Sequence, residues 1–335
     1  MKHLSFCALA AVLAIALLTS CPKTTPLPNR QASSQPGSNI PAQPKAKNVI
    51  LMIGDGMGLT QISAGLYRNN NQLHLERFPV VGIHKPYSSD NLITDSAAGA
   101  TAFSIGQKTY NGAIGVTPDT VAQYTILEEA EDRGLATGLV TTSTIVHATP
   151  ASFIAHVAQR SMYEEIAADF LHTEIDFFLG GGKKYFDRRK SDERDLLAEL
   201  RNKGYVVSSY FTEDLNDLSL NYQKNFAYLT ADSDPLTAMQ GRDYLKPASR
   251  MACDFLKRHN QDKGFFLMIE GAQIDWGGHA NNSEYIISEM IDFDAAIGAV
   301  LDFAEADGHT LVIVTADHET GGFAINPGST TDSII

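Results

Sequence analysis

Five short apolar runs constrain the fold of this chain more than any other feature. Residues 48–53 place Val49, Ile50, Leu51, Met52 and Ile53 in succession and are closed by Gly54-Asp55-Gly56-Met57-Gly58. Comparable runs occupy 135–141, 176–180, 265–269 and 310–315. A strand covered on only one face alternates apolar and polar side chains, whereas a strand buried on both faces does not. The runs therefore mark central strands of a sheet that is covered on both sides. Helical patterns lie between them, at 120–133, 161–172, 192–203, 236–259 and 283–306. Strands alternating with helices over this length predict an α/β fold with a largely parallel central sheet flanked by helices. No internal repeat or second linker interrupts the pattern, so residues 48–335 read as one domain.

The N-terminal stretch reads differently. Lys2 and His3 precede an apolar run, 4–18, that is too short and wrongly flanked for an ordinary membrane-spanning helix. It ends in Leu18-Thr19-Ser20-Cys21, the pattern of a bacterial lipoprotein signal in which cleavage exposes Cys21 for acylation. A plain secretory signal with a chance cysteine is the alternative, and both imply export. Residues 22–47 are rich in Pro, Ser, Gln and Lys and read as a disordered tether. The expectation is a lipid-anchored protein facing the periplasm or the cell surface. Cys7 lies in the expected signal and Cys21 would be lipidated, which leaves Cys253 alone with no partner for an internal disulfide. The formal net charge of −13 argues against a nucleic-acid partner.

In parallel sheets, ligands gather beyond the carboxyl ends of the strands. Three of these ends carry carboxylates or imidazoles. Asp55 follows the first run, Glu270 through Asp275 to His279 follow the fourth, and Asp317-His318 follow the fifth. Asp, Glu and His supply the oxygen and nitrogen ligands taken by zinc and magnesium. Any one of these residues alone reads as a cap or turn former; three strand ends together read as a metal site. The stretch Thr94-Asp95-Ser96-Ala97-Ala98-Gly99-Ala100-Thr101-Ala102 predicts a capped, alanine-rich helix. Ser96 falls in its first turn with no bulky neighbour to shield the hydroxyl. Free N–H groups at such a helix start suit a phosphate or sulfate.

Taken together, Gly54-Asp55-Gly56-Met57-Gly58, the 94–102 block, His147-Ala148-Thr149-Pro150-Ala151, residues 270–279 and residues 315–322 resemble the alkaline phosphatases in order and approximate spacing. The resemblance implies that family's three-layer α/β sandwich and the hydrolysis of small phosphate monoesters at alkaline pH through a phosphoserine on Ser96. It implies two zinc ions, one held by Asp55, Asp317 and His318 and the other by Asp275, His279 and a further histidine. Magnesium would lie on the far side of Asp55, with Thr149 and Glu270 and with His147 beside it. Arg160, ten residues after Pro150, matches the phosphate-clamping arginine. His147 and Trp276 stand at positions that vary within the family. A homodimer is also implied as a possibility.

One departure stands out. Family members continue to a later histidine, and none follows His318 in this chain. The expectation is that the C-terminal part of the domain is missing from 48–335, together with a final strand. Two other readings compete with the monoesterase: a non-catalytic metal- or phosphate-binding surface lipoprotein, and a phosphodiesterase of the same superfamily. A diesterase has less use for Arg160, because one non-bridging oxygen of its substrate is esterified.

Overall fold

The computed structural model describes residues 45–331, 333 and 334. The signal segment, Cys21 and the tether up to residue 44 lie outside the described residues. Seven strands form one sheet: β1 (Asn48–Gly54), β2 (Ala136–Thr144), β3 (Phe177–Gly181), β4 (Val206–Ser209), β5 (Phe226–Leu229), β6 (Phe265–Gly271) and β7 (Thr310–Ala316). Their order is β4-β5-β3-β2-β6-β1-β7, and every pairing is parallel. β1, β2, β3, β6 and β7 are the five apolar runs. β4 and β5 were not anticipated, because four residues place only two side chains on each face and leave no period to detect.

The sheet separates two cores, as the three-layer expectation requires. Ile50, Met52, Leu267 and Ile269 face the helices Leu245–His259 and Ser283–Asp307, meeting Phe255, Met290 and Phe293. Ile53, Leu139, Phe266 and Met268 face the opposite side, with Ala97, Phe153 and Phe178. Cys253 is buried in the first core, where desolvation pushes its thiol pKa up. Among the described residues β7 is an edge strand, and its Leu311 and Ile313 are exposed.

Two helical expectations are corrected. The 120–133 pattern contracts to Ile126–Asp132, because Thr125 caps it reciprocally with Glu128 and the preceding residues turn back onto Gly115. The 236–259 pattern splits into one turn, Ala238–Gln240, ending at Gly241, and the helix Leu245–His259. The helix Leu59–Arg68 was not assigned from sequence.

Register brings the functional strand ends level. Gly54 pairs with Gly271 on one side and Ala316 on the other, so Asp55 and Asp317 emerge side by side. Thr141 on β2 pairs with Glu270 on β6.

Candidate active site

The turn after β1 is held by its neighbours. Asp55 N–H donates to Gly271 O (3.2 Å), and Gly56 N–H donates to Asp317 Oδ1 (3.2 Å). Gly56 has φ +68°, and a Cβ there would lie 2.7 Å from Asp275 Cα. Only glycine combines that backbone with that approach. The second amide on Asp317 Oδ1 comes from His318 (2.9 Å), so Oδ2 is left over. Asp55 Oδ2 and Asp317 Oδ2 are both buried without a hydrogen-bond partner among the described residues.

Ser96 opens the helix Ser96–Ile105, whose N-cap is Asp95; the Asp95 Oδ1 accepts from Ala98 N–H (2.9 Å). The residues that follow are small, as the sequence requires, and a Cβ on Gly99 would come within 3.2 Å of Asp317 Cβ. That closeness corrects one expectation: the Ser96 hydroxyl is not open to solvent, since the residue is only 4% exposed. Its Oγ faces inward, 3.3 Å from Asp55 Oδ1 and 3.3 Å from His318 Nε2.

His318 presents a lone pair to this point. Its Nδ1 lies 3.2 Å from the carbonyl of Glu319, which can only accept, and 3.0 Å from Thr320 Oγ1. The Thr320 hydroxyl in turn donates to Asp275 Oδ1 (2.5 Å). The proton of the neutral ring is therefore assigned to Nδ1, and Nε2 is free to ligate. Nε2 stands 3.5 Å from both Asp55 Oδ1 and Asp317 Oδ2. Three acceptors converge beside the Ser96 hydroxyl, and their ligating atoms lie within 4.8 Å of one another. A second such group joins Asp55, His147 and Glu270. Both donor sets, with their orphaned oxygens, fit a cation.

The electrostatics agree. Burial raises the Asp55 carboxyl well above its ordinary range, and the carboxylates of Asp317, Asp275 and Glu270 raise it further, while Arg160 opposes. Burial pushes Glu270 up to about 7, against the hydroxyls of Thr141, Thr149 and Ser143. Thr141 Oγ1 donates to Glu270 Oε2 in a short bond, and Ser143 Oγ reaches the same oxygen at 3.3 Å. Burial, then Arg160, lowers His147 to about 3, which favours the neutral ring, and its Nδ1 is buried without a hydrogen-bond partner among the described residues. Carboxylates this crowded and desolvated need compensating positive charge.

Asp275 and His279 lie one turn apart on the seven-residue helix Gln273–His279, with His279 Nε2 3.5 Å from Asp275 Oδ1. The His279 side chain is 72% exposed, and among the described residues no third His, Cys, Asp or Glu completes a group around this pair. Arg160 leans on the helix that Ser96 opens: Nη1 donates to Asp95 Oδ2 (3.1 Å), and Nη2 lies 3.5 Å from His147 Nε2. Trp276 meets His147 nearly edge-on, with ring centroids 5.8 Å apart. Of the histidines given no ligand role, His156, His172 and His259 pair with Glu128, Asp169 and Asp176, and His309 sits at the opposite end of β7. Sequence reasoning missed Thr320, Thr141 and Ser143. Thr320 lies inside the 315–322 block, but hydroxyls leave no signal until their partners are placed.

Comparison with known proteins places the chain in a family. The family model described as alkaline phosphatase matches residues 46–333. Alkaline phosphatase 3 of Bacillus subtilis is 42% identical over 298 residues, covering 84% of this chain and 63% of the relative. The Escherichia coli alkaline phosphatase is 33% identical over 340 residues, covering 84% and 72%. The structure of alkaline phosphatase from the Antarctic bacterium TAB5 superposes with a TM-score of 0.80 at 48% identity, covering 84% of this chain and 82% of that one. A histidine variant of that enzyme has Mg bound in its M3 site. This chain spans less than two thirds of the length of the Bacillus relatives it matches.

Proposed function

This chain belongs to the alkaline phosphatase family, and on that footing we propose that it hydrolyses small phosphate monoesters at alkaline pH through a phosphoserine on Ser96. The observation that carries the reading is the convergence on Ser96 Oγ of Asp55 Oδ1 and His318 Nε2, each at 3.3 Å, backed by unpartnered carboxylate oxygens. Asp55, Asp317 and His318 would hold one zinc ion, and Asp275 with His279 a second. Asp55, Glu270 and Thr149 would hold magnesium, with His147 beside them. Such metals make an oxygen nucleophile available near neutral pH and stabilise a leaving oxygen.

The residues of the chain supply the rest. Ser96 Oγ loses its proton to solvent and attacks phosphorus, the bond to the alcohol oxygen breaks, and the alcohol leaves with a proton from water. Water then attacks the phosphorus of the phosphoserine and gives up a proton, the bond from phosphorus to Ser96 Oγ breaks, Ser96 Oγ regains a proton, and inorganic phosphate is released. The positive end of the helix Ser96–Ile105 would favour the anion beside Ser96. Arg160 offers two parallel N–H groups to the non-bridging oxygens, and Asp95 holds that fork at the helix start. Export, lipidation at Cys21, a tether over 22–47, a periplasmic or surface location and a possible homodimer are part of the same proposal and rest on the sequence patterns alone.

The incomplete surroundings of Asp275 and His279 favour one other reading, a metal- or phosphate-binding module without turnover. The purified chain, stripped of metal and then given zinc and magnesium, separates the two. Metal-dependent hydrolysis of p-nitrophenyl phosphate that is lost in Ser96→Ala supports the monoesterase. A folded, metal-loaded protein with no turnover supports the binding module.

A further inference from the structure

The geometry points to Gln273 as the positioning residue that sets the Asp275/His279 pair in place. This rests on the reading of that pair as a metal site. The helix Gln273–His279 cannot set its own orientation. Seven residues fall short of what an isolated helix needs, Gly277 and Gly278 are poor helix formers, and Ala272 at its N-cap offers no side-chain bond. Its direction must come from tertiary contacts, and its first residue makes an unusual number of them.

Gln273 is fully buried. Its Nε2 donates to Thr142 O on β2 (2.8 Å), and the remaining N–H is shared between Pro235 O and Leu236 O, each at 3.3 Å, in the loop after β5. Its Oε1 accepts from the Tyr285 hydroxyl (2.6 Å) on the helix Ser283–Asp307. The preceding amide, Ala272 N–H, donates to Thr142 Oγ1 (2.8 Å). One side chain thus ties the helix to three separate elements and uses both N–H groups and the carbonyl oxygen of its amide. Two residues on, Asp275 projects from the same short rod, and His279 follows one turn later. A rotation of the rod would carry both away from Thr320 and the rest of the site. Asp55, Asp317 and His318 follow β1 and β7, and among the described side chains Thr320 links His318 to Asp275, so the effect falls mainly on one metal set.

The test uses the full chain with Gln273→Met, which keeps volume but removes every polar contact, and Tyr285→Phe, which removes one. Zinc affinity at each site is measured by chelator competition, and Asp275→Asn identifies the site in question. Gln273→Met is expected to weaken that site about 10- to 100-fold while the other changes less than about twofold. Tyr285→Phe should have a smaller effect in the same direction. Cobalt substituted at that site should show an altered visible spectrum. In the metal-free protein, amide exchange across 273–279 should quicken roughly tenfold or more in Gln273→Met. Equal weakening at both sites, or unchanged affinity with unchanged exchange, overturns the proposal. If no zinc site responds to Asp275→Asn, the reading of the pair as ligands fails, and the exchange measurement still decides whether Gln273 sets the helix.

Discussion

Thr320 donates a 2.5 Å hydrogen bond from Oγ1 to Asp275 Oδ1, while the same oxygen lies 3.0 Å from His318 Nδ1. One hydroxyl therefore joins residues proposed to hold two different metals, orienting the carboxylate of one and the tautomer of the other. Thr320→Val keeps the shape and removes the bridge. It should weaken metal binding about 10- to 100-fold, whereas Thr320→Ser should stay close to the parent. Chelator competition on the purified proteins measures this, and equal affinities for valine and threonine would show that the bridge does not matter.

Arg160 acts through geometry as much as charge. Arg160→Lys keeps the charge but loses the fork, so phosphate should be held less tightly by about 1.5–3 kcal/mol, roughly 10- to 100-fold. Competitive inhibition by inorganic phosphate reads this directly. An unchanged inhibition constant would remove Arg160 from phosphate recognition.

His147 and Trp276 touch, so their effects should not add. His147→Asp and Trp276→Lys should each alter turnover and magnesium dependence. The double variant should differ from the sum of the singles by about 0.5 kcal/mol or more. Strict additivity in a double-mutant cycle on kcat would show the two positions to be independent.

His156 gives the fold a pH dependence of its own. Its Nδ1 faces Gly115 O (2.8 Å) and its Nε2 faces Glu128 Oε1 (3.0 Å), two acceptors that only the charged ring satisfies at once. The Glu128 bond raises the His156 pKa against the opposing effect of burial. Burial pushes Glu128 up, but its bonds to His156 and Thr125 outweigh this and leave it lowered. The stability from His156 is full below the ordinary histidine pKa and is lost as pH rises through its raised value. The stability from Glu128 is present above the ordinary carboxyl pKa and is lost as pH falls through its lowered value. Between about pH 6 and pH 9, the midpoint of thermal unfolding should drop by on the order of 1–3 °C from this pair. Glu128→Gln should flatten that difference, and an unaltered pH profile in the variant would rule the pair out as its source.

Much of this protein was legible in its residues. Uninterrupted apolar runs such as 49–53 and 265–269, short and closed by turn residues, point to strands buried on both faces. Asp95 before Ser96 and the alanines specify the helix Ser96–Ile105, because capping and propensity are local. Asp55, Glu270 and Asp317 could be assigned to strand ends by counting along those runs. Tertiary structure decided the rest. The order β6-β1-β7 places Asp55 beside Asp317, and strand order is a matter of non-local pairing that a local period does not encode. β4 and β5 are too short to carry a period at all. The burial of Ser96, the span of Thr320 from His318 to Asp275, and the three anchors of Gln273 arise only when segments distant in sequence close on one another. Each depends on which partners a hydroxyl or amide finds, and a polar side chain acquires that meaning only once the chain around it is packed.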